Sequence, residues 1–204
     1  MEDCKIRVMV LLAPGFEEVE AVTPIDYLRR AGIDVRVAAL GPDRIVTGSH
    51  DISVSADTSF DELFAQEKLA PSMWDAVVVP GGSPGAVNIA SDSRIAGFIL
   101  KMAQAEKWIC AICASPAVVL GPTGILKGRR FTCYPGMENK VTGAIWSEDR
   151  VVVDKNSGNG GIITSRGAGT TGEFAIAIIA NILNEKDAGQ IAGKILLELP
   201  GQCF

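Results

Sequence analysis

The chain has 204 residues, 48% of them hydrophobic and 21% charged, with a net charge of -5 and an isoelectric point near 5.0. That length suffices for one sizeable core, so one domain over residues 1–204 is expected. The acidic balance offers no basic face to nucleic acid or anionic lipid, so neither is an expected partner.

Met1 to Lys5 is a charged run before an apolar stretch too short to span a membrane and lacking a small-residue cleavage site, which predicts a cytoplasmic protein. Five cysteines (Cys4, Cys110, Cys113, Cys133 and Cys203) are an odd, scattered set in a chain that needs no staples, so free thiols are expected. The lone histidine, His50, has no cysteine or acidic neighbour at zinc-site spacing. No metal and no cofactor are expected.

Along the chain, β-rich apolar runs alternate with helix-period segments, which favours an α/β fold with a mostly parallel sheet covered on both faces. Ile6 to Leu12 reads as the first strand. Glu17 to Ala31 reads as a helix with Val19, Val22, Ile25 and Leu28 at helical spacing, ending before Gly32. Ile33 to Leu40 is the second strand; Gly41 to Asp57 resembles a hairpin, and Asp61 to Glu67 a short helix. Asp75 to Val79 is a short apolar strand ending in Pro80-Gly81-Gly82, with a helix after it over Ser91 to Glu106. Trp108 to Ile112 is the strand that delivers Cys113. A helix near Pro116 to Leu120, strands near Phe131 to Tyr134, Arg150 to Val153 and Ile162 to Ser165, and helices near Thr171 to Leu183 and Asp187 to Leu197 complete the pattern.

The passage from Trp108 to Leu120 turns from a buried strand into a helix within two residues of Cys113. Pro116 suits the first turn of that helix, where a missing N–H costs nothing. A thiol there feels the positive end of the helix dipole and nearby amides, which predicts a lowered pKa and a reactive thiolate. A buried structural cysteine is the bland alternative. Cys110 and Cys113 also fit the C-x-x-C redox pattern. However, three residues of strand put them about 10 Å apart, beyond the roughly 7 Å that a disulfide bridges.

Gly167-Ala-Gly169-Thr-Thr-Gly172 fits G-x-G-x-x-G, yet the chain beyond Leu183 reads as helical, where a dinucleotide-binding unit needs another strand. The loop is expected instead to supply a tight turn and backbone donors. The acidic cluster Glu17-Glu18-Val-Glu20 suits the first turn of a helix on dipole grounds alone. If its strand were a neighbour of the one carrying Cys113, one of these carboxyls would face the thiol with a raised pKa suited to proton transfer. Spacing does not say which.

Five ordered segments carry a resemblance: Leu12-Ala-Pro-Gly-Phe-Glu-Glu-Val-Glu20-Ala-Val, Arg29-Arg-Ala-Gly-Ile33, Asp75-Ala-Val-Val-Val-Pro-Gly-Gly82, Ala111-Ile-Cys113-Ala-Ser-Pro116 and Thr164-Ser-Arg-Gly-Ala-Gly-Thr170. Over nearly its whole length the chain resembles the ThiJ/PfpI family, most closely the branch of the parkinsonism-associated deglycase. The resemblance implies a flavodoxin-like three-layer sandwich of the class I glutamine amidotransferase-like type, usually a homodimer. It implies Cys113 as nucleophile on a strained elbow, Glu20 as its protonated carboxyl partner, the backbone N–H groups of Gly82 and Ala114 as an oxyanion hole, and Glu17 in the pocket.

The sequence departs from the family where Tyr134 replaces a relative's histidine, leaving Tyr134 to orient substrate. His50 matches a loop arginine and reads as a surface residue, and Ser115 stands where glycine is frequent, narrowing the pocket floor. The activity implied is a cofactor-independent glyoxalase or deglycase acting on small dicarbonyls such as methylglyoxal. The alternatives are a redox sensor or chaperone-like stress protein in which Cys113 oxidises to a sulfinate, and a cysteine peptidase or amidotransferase-like hydrolase, which lacks its histidine.

Overall fold

The computed structural model describes residues 5–198, so Cys4 and Cys203 lie outside the described residues. The elements run β1 (Arg7–Leu12), α1 (Glu18–Arg30), β2 (Asp34–Ala39), the hairpin β3 (Ile45–Thr47) and β4 (Ser53–Ser55), β5 (Thr58–Ser59), α2 (Phe60–Ala65) and β6 (Ala76–Val79). They continue with α3 (Ser83–Ser91), α4 (Ser93–Gln104), β7 (Trp108–Ile112), β8 (Arg130–Phe131), β9 (Ile145–Trp146), β10 (Val151–Lys155), β11 (Gly161–Ser165), α5 (Thr171–Ile182) and α6 (Glu185–Lys194).

Seven strands form one sheet in the order β10-β11-β7-β6-β1-β2-β5. All neighbours are parallel except β10, which runs antiparallel to β11. Alternation along β1 shows how the layers are built. Val8, Val10 and Leu12 join a core with α1, α5 and α6, whereas Met9 and Leu11 join a second core with α2, α3 and α4. Each such fully buried aliphatic contributes about 1.5–3 kcal/mol relative to exposure. The expected flavodoxin-like three-layer sandwich is therefore the fold. No helix among the described residues is long and apolar enough to cross a membrane.

Three expectations need correction. The helix expected from Ser91 to Glu106 is α4, but a further helix, α3, precedes it; Asp92 ends α3 and caps α4 by accepting a hydrogen bond from the Arg94 N–H at 2.9 Å. Pro84 occupies the first turn of α3, where proline is tolerated. The last helix starts earlier than expected, because Asn184 caps it through the Asp187 N–H at 2.9 Å. Finally, only the second half of the apolar spacing in α1, Ile25 and Leu28, marks its buried face. Glu18, Glu20, Ala21, Pro24, Ile25 and Leu28 are buried, while Val19 and Val22 are 49% and 45% exposed.

Candidate active site

Cys113 comes directly after β7 and adopts φ 63°, left-handed backbone that a side-chain-bearing residue enters at a cost of about 1–3 kcal/mol. The neighbouring segments hold it there. Its N–H donates to the Ser165 carbonyl at 2.9 Å, and its own carbonyl accepts from the Tyr134 N–H at 2.8 Å. Beyond it, the helix expected near Pro116 to Leu120 is one wide turn of π-helix. Ser115 is fully buried and its hydroxyl donates to the Pro80 carbonyl at 2.5 Å, tying the elbow to the end of β6.

The acidic cluster approaches from the other side. Glu17 caps α1, its carboxylate accepting the Glu20 N–H at 2.7 Å. Glu20 is fully buried and its Oε2 accepts the Gly81 N–H at 2.9 Å. The strands leading to Glu20 and Cys113 are not neighbours, because β6 lies between β1 and β7. Contact is made over the carboxyl end of β6, where Gly81 and Gly82 leave room. A Cβ on Gly81 would lie 2.6 Å from the Cys113 Cβ and collide with Glu20. Gly82 sits at φ 88°, and a Cβ there would lie 2.5 Å from the Glu17 nitrogen. The backbone amides of Ala114 and Gly82 favour negative charge on the sulfur.

Burial raises the Glu20 carboxyl to about 7; the Glu17 charge adds to this, while the Cys113 thiol and the Gly81 amide oppose it. Burial, and then the negative charge of Glu20 beside it, pushes the Cys113 thiol up to about 12. The amides of Ala114 and Gly82 act in the lowering direction expected from sequence but are outweighed. A proton on Glu20 removes the repelling charge, and the carboxyl then becomes a donor to sulfur. Oε1 of Glu20 meets no donor at hydrogen-bond geometry.

Tyr134 and Gly167 close the space in front of these groups. A Cβ placed on Gly167 would lie 3.6 Å from Tyr134 Cδ2, 3.8 Å from Glu20 Oε1 and 4.0 Å from Cys113 Sγ. Gly167 begins the loop that matched G-x-G-x-x-G, and α5 leads into α6 with no further strand among the described residues. Sequence reasoning passed over both Gly81 and Gly167 as site residues. The signal for Gly81 was its place beside Gly82; Gly167 was hidden by the competing loop reading.

Glu18 is buried away from the thiol, its carboxylate accepting the His50 N–H at 2.6 Å and pairing with His50 Nδ1 at 2.8 Å. Burial alone would raise it, but the His50 side chain and backbone donors hold it down at about 2. Glu17, Glu18 and His50 bring ligand atoms within 4.8 Å of one another. Their sequence separation concealed the cluster, and the Glu18 oxygens are already engaged by His50. Cys110 is buried and free within β7, and Cys133 is buried and free beside Tyr134. A cavity of about 750 Å³, lined by Asp75, Lys107, Trp108 and Asn181 among others, opens at the opposite, amino end of the strands and contains no thiol.

Residues 6–181 match the DJ-1/PfpI family. The chain is 40% identical over 191 residues to the Arabidopsis thaliana protein DJ-1 homolog B, covering 94% of this chain and 41% of that protein. It thus spans less than half the length of this relative. It is 37% identical to the Danio rerio Parkinson disease protein 7 homolog, covering 94% of this chain and 97% of that one. A Pyrococcus abyssi deglycase is 34% identical, covering 74% and 87%. The structure of oxidised Toxoplasma gondii DJ-1 superposes with a TM-score of 0.86 at 34% identity, covering 95% of this chain and all of that one. Motifs, sheet order and these likenesses agree: the chain belongs to the DJ-1/PfpI family.

Proposed function

We propose that the protein is a cofactor-independent glyoxalase and deglycase, converting methylglyoxal-type dicarbonyls to hydroxy acids and reversing their adducts under carbonyl or oxidative stress. The observation that carries this reading is the unpartnered Oε1 of buried Glu20 opening on the same space as the Cys113 sulfur. A carboxyl poised near neutrality beside a nucleophile suits proton transfer between adjacent carbons. The Pyrococcus abyssi relative named a deglycase supports the same chemistry.

In this mechanism the Glu20 carboxylate takes the thiol proton as the substrate arrives, and the thiolate so formed attacks the aldehyde carbon. A carbon–sulfur bond forms, and the aldehyde oxygen becomes an alkoxide facing the Gly82 and Ala114 amides. Glu20 supplies the proton that neutralises it, giving a hemithioacetal. The carboxylate then removes the proton from that carbon to give an enediolate and returns it to the neighbouring carbon, while the hydroxyl proton passes to the adjacent oxygen, leaving a thioester. Water cleaves the thioester to lactate and restores the thiol. Tyr134 and Glu17 border the pocket and orient substrate. The enzyme acts as a single domain in the cytoplasm and as a homodimer, the dimer supported by the exposed apolar Val19 and Val22 of α1.

A second reading treats Cys113 as a redox sensor, supported by its partial exposure and by the oxidised state of the Toxoplasma gondii relative. The test is lactate formation from methylglyoxal by reduced protein without glutathione. Many turnovers that vanish in Cys113→Ala and drop steeply in Glu20→Gln are expected. Consumption of one equivalent per thiol, and no more, overturns the enzyme reading in favour of the sensor.

A further inference from the structure

Gly167 lies directly across from the reacting groups, and nothing in its backbone requires glycine. Its φ of 162° is extended conformation open to any residue. The nearest atoms to an added Cβ, at 3.6 to 4.0 Å, are at ordinary contact distance. The turn it begins is independently fastened, since the Thr170 N–H donates to the Gly167 carbonyl at 2.8 Å and Thr170 Oγ1 accepts the Gly167 N–H at 3.2 Å. What the missing side chain leaves is space, bounded by Tyr134, Glu20 Oε1 and Cys113 Sγ.

A carbonyl carbon under attack approaches sulfur to about 3–3.5 Å. The substituent on the adjacent carbon must then occupy the volume in front of Glu20, since that carbon receives the proton. Gly167 and Tyr134 are its walls. We infer that Gly167 determines substrate size: its bare Cα makes the room for the carbon substituent next to the attacked aldehyde, admitting ketoaldehydes as well as glyoxal. This rests on the dicarbonyl reading proposed above.

A methyl group at residue 167 therefore acts as a size filter. A mismatch of one methylene in a tight apolar pocket changes selectivity by about 10–200-fold. In Gly167→Ala, kcat/KM for methylglyoxal is expected to fall at least tenfold relative to glyoxal, with phenylglyoxal falling further, and thermal unfolding is expected to match the wild type. Tyr134→Ala, at a half-exposed position, enlarges the same space and is expected to raise phenylglyoxal relative to methylglyoxal, which keeps the inference testable if the alanine at 167 does not fold.

Equal losses for all three substrates, or no change in their ratios, overturn it. Alkylation of Cys113 by iodoacetamide and by the bulkier N-ethylmaleimide, read by peptide mass spectrometry, separates the two claims. If the wild type turns over no dicarbonyl, the enzyme reading fails. The size limit then stands only if Gly167→Ala slows the maleimide selectively, and equal slowing removes it as well.

Discussion

Glu20 and Cys113 meet across the end of a strand to which neither belongs. Gly81, just past β6, gives its amide to Glu20 Oε2 and has no room for a Cβ against Cys113. The carboxyl is thereby held dry and next to the thiol, and the two groups behave as one unit that gives up its first proton near 7, the range to which burial raises Glu20. With both protons present there is no nucleophile. Turnover and alkylation of Cys113 by iodoacetamide are therefore expected to rise with pH through about 7 and then level off. In Glu20→Gln the amide cannot hold the proton, and the buried thiol, itself raised, must lose its own. The alkylation midpoint moves above the ordinary thiol pKa of about 8.5. A midpoint unchanged by Glu20→Gln would show that the two groups are uncoupled.

The same carboxyl has a stability consequence of opposite sign to that of most acids. Its folded pKa is raised from 4.5 to about 7, so ionisation is less favourable in the folded state. The resulting destabilisation is absent below pH 4.5 and complete above about 7, where it amounts to at most about 3 kcal/mol. Glu20→Gln is expected to be more stable than wild type at pH 8 by up to that amount, with the gain shrinking towards pH 5. Urea unfolding at the two pH values measures it; equal differences at both would rule out the titration of Glu20 as the cause.

Ser115 predicts a separable defect. Its buried hydroxyl is a donor to the Pro80 carbonyl at 2.5 Å. Sequence reasoning had it narrowing the pocket floor, but the hydroxyl turns instead toward the strand that leads into Gly81 and Gly82. Ser115→Ala leaves a buried carbonyl short of that donor, costing about 1–3 kcal/mol in denaturant unfolding. Because the Gly82 amide loses part of its support, kcat is expected to fall more than KM rises. A change in KM alone would indicate that the hydroxyl shapes binding instead.

The strand that delivers Cys113 was legible because its apolar run and Pro116 are local signals. The sign of the thiol's shift was not. The pull of a helix dipole is set by chain neighbours, whereas burial and the approach of Glu20 come from packing. Which of three carboxyls faces sulfur likewise depends on how α1 is rotated about its axis. That rotation buries Glu18 and Glu20 and turns Val19 outward, and it is fixed by the surfaces α1 packs against, not by its own periodicity. Family motifs supplied Glu20 where spacing did not. The pairing of Glu18 with His50 joins positions 32 apart, and no short motif encodes it.

That pairing clips the β3–β4 turn onto the first turn of α1. His50 is raised above its ordinary 6.5 by its hydrogen bond to Glu18 and by that carboxylate's charge. A raised histidine contributes stability fully below 6.5 and loses it as pH climbs through the folded value. Exchange-corrected amide protection of residues 48–52 is expected to decline above pH 6.5 in the wild type. In His50→Ala it is expected to be lower and flat over the same range. A wild-type profile as flat as the variant's would mean that only the backbone bond to Glu18 matters.

The outward turn of Val19 and Val22 leads to the last prediction. Ile52, 56% exposed, is on the hairpin turn that Glu18 holds to the helix. Exposed apolar side chains on α1 and on the turn tied to its first turn favour association with a second copy. Val22→Glu adds a charge at an exposed site, where substitutions usually change folding stability by less than about 0.5 kcal/mol. Desolvating that charge in an apolar interface costs far more. Sedimentation velocity is expected to show a dimer for the wild type and a monomer with unchanged thermal unfolding for Val22→Glu. A variant that sediments as the wild-type dimer would place the interface on another face of the molecule.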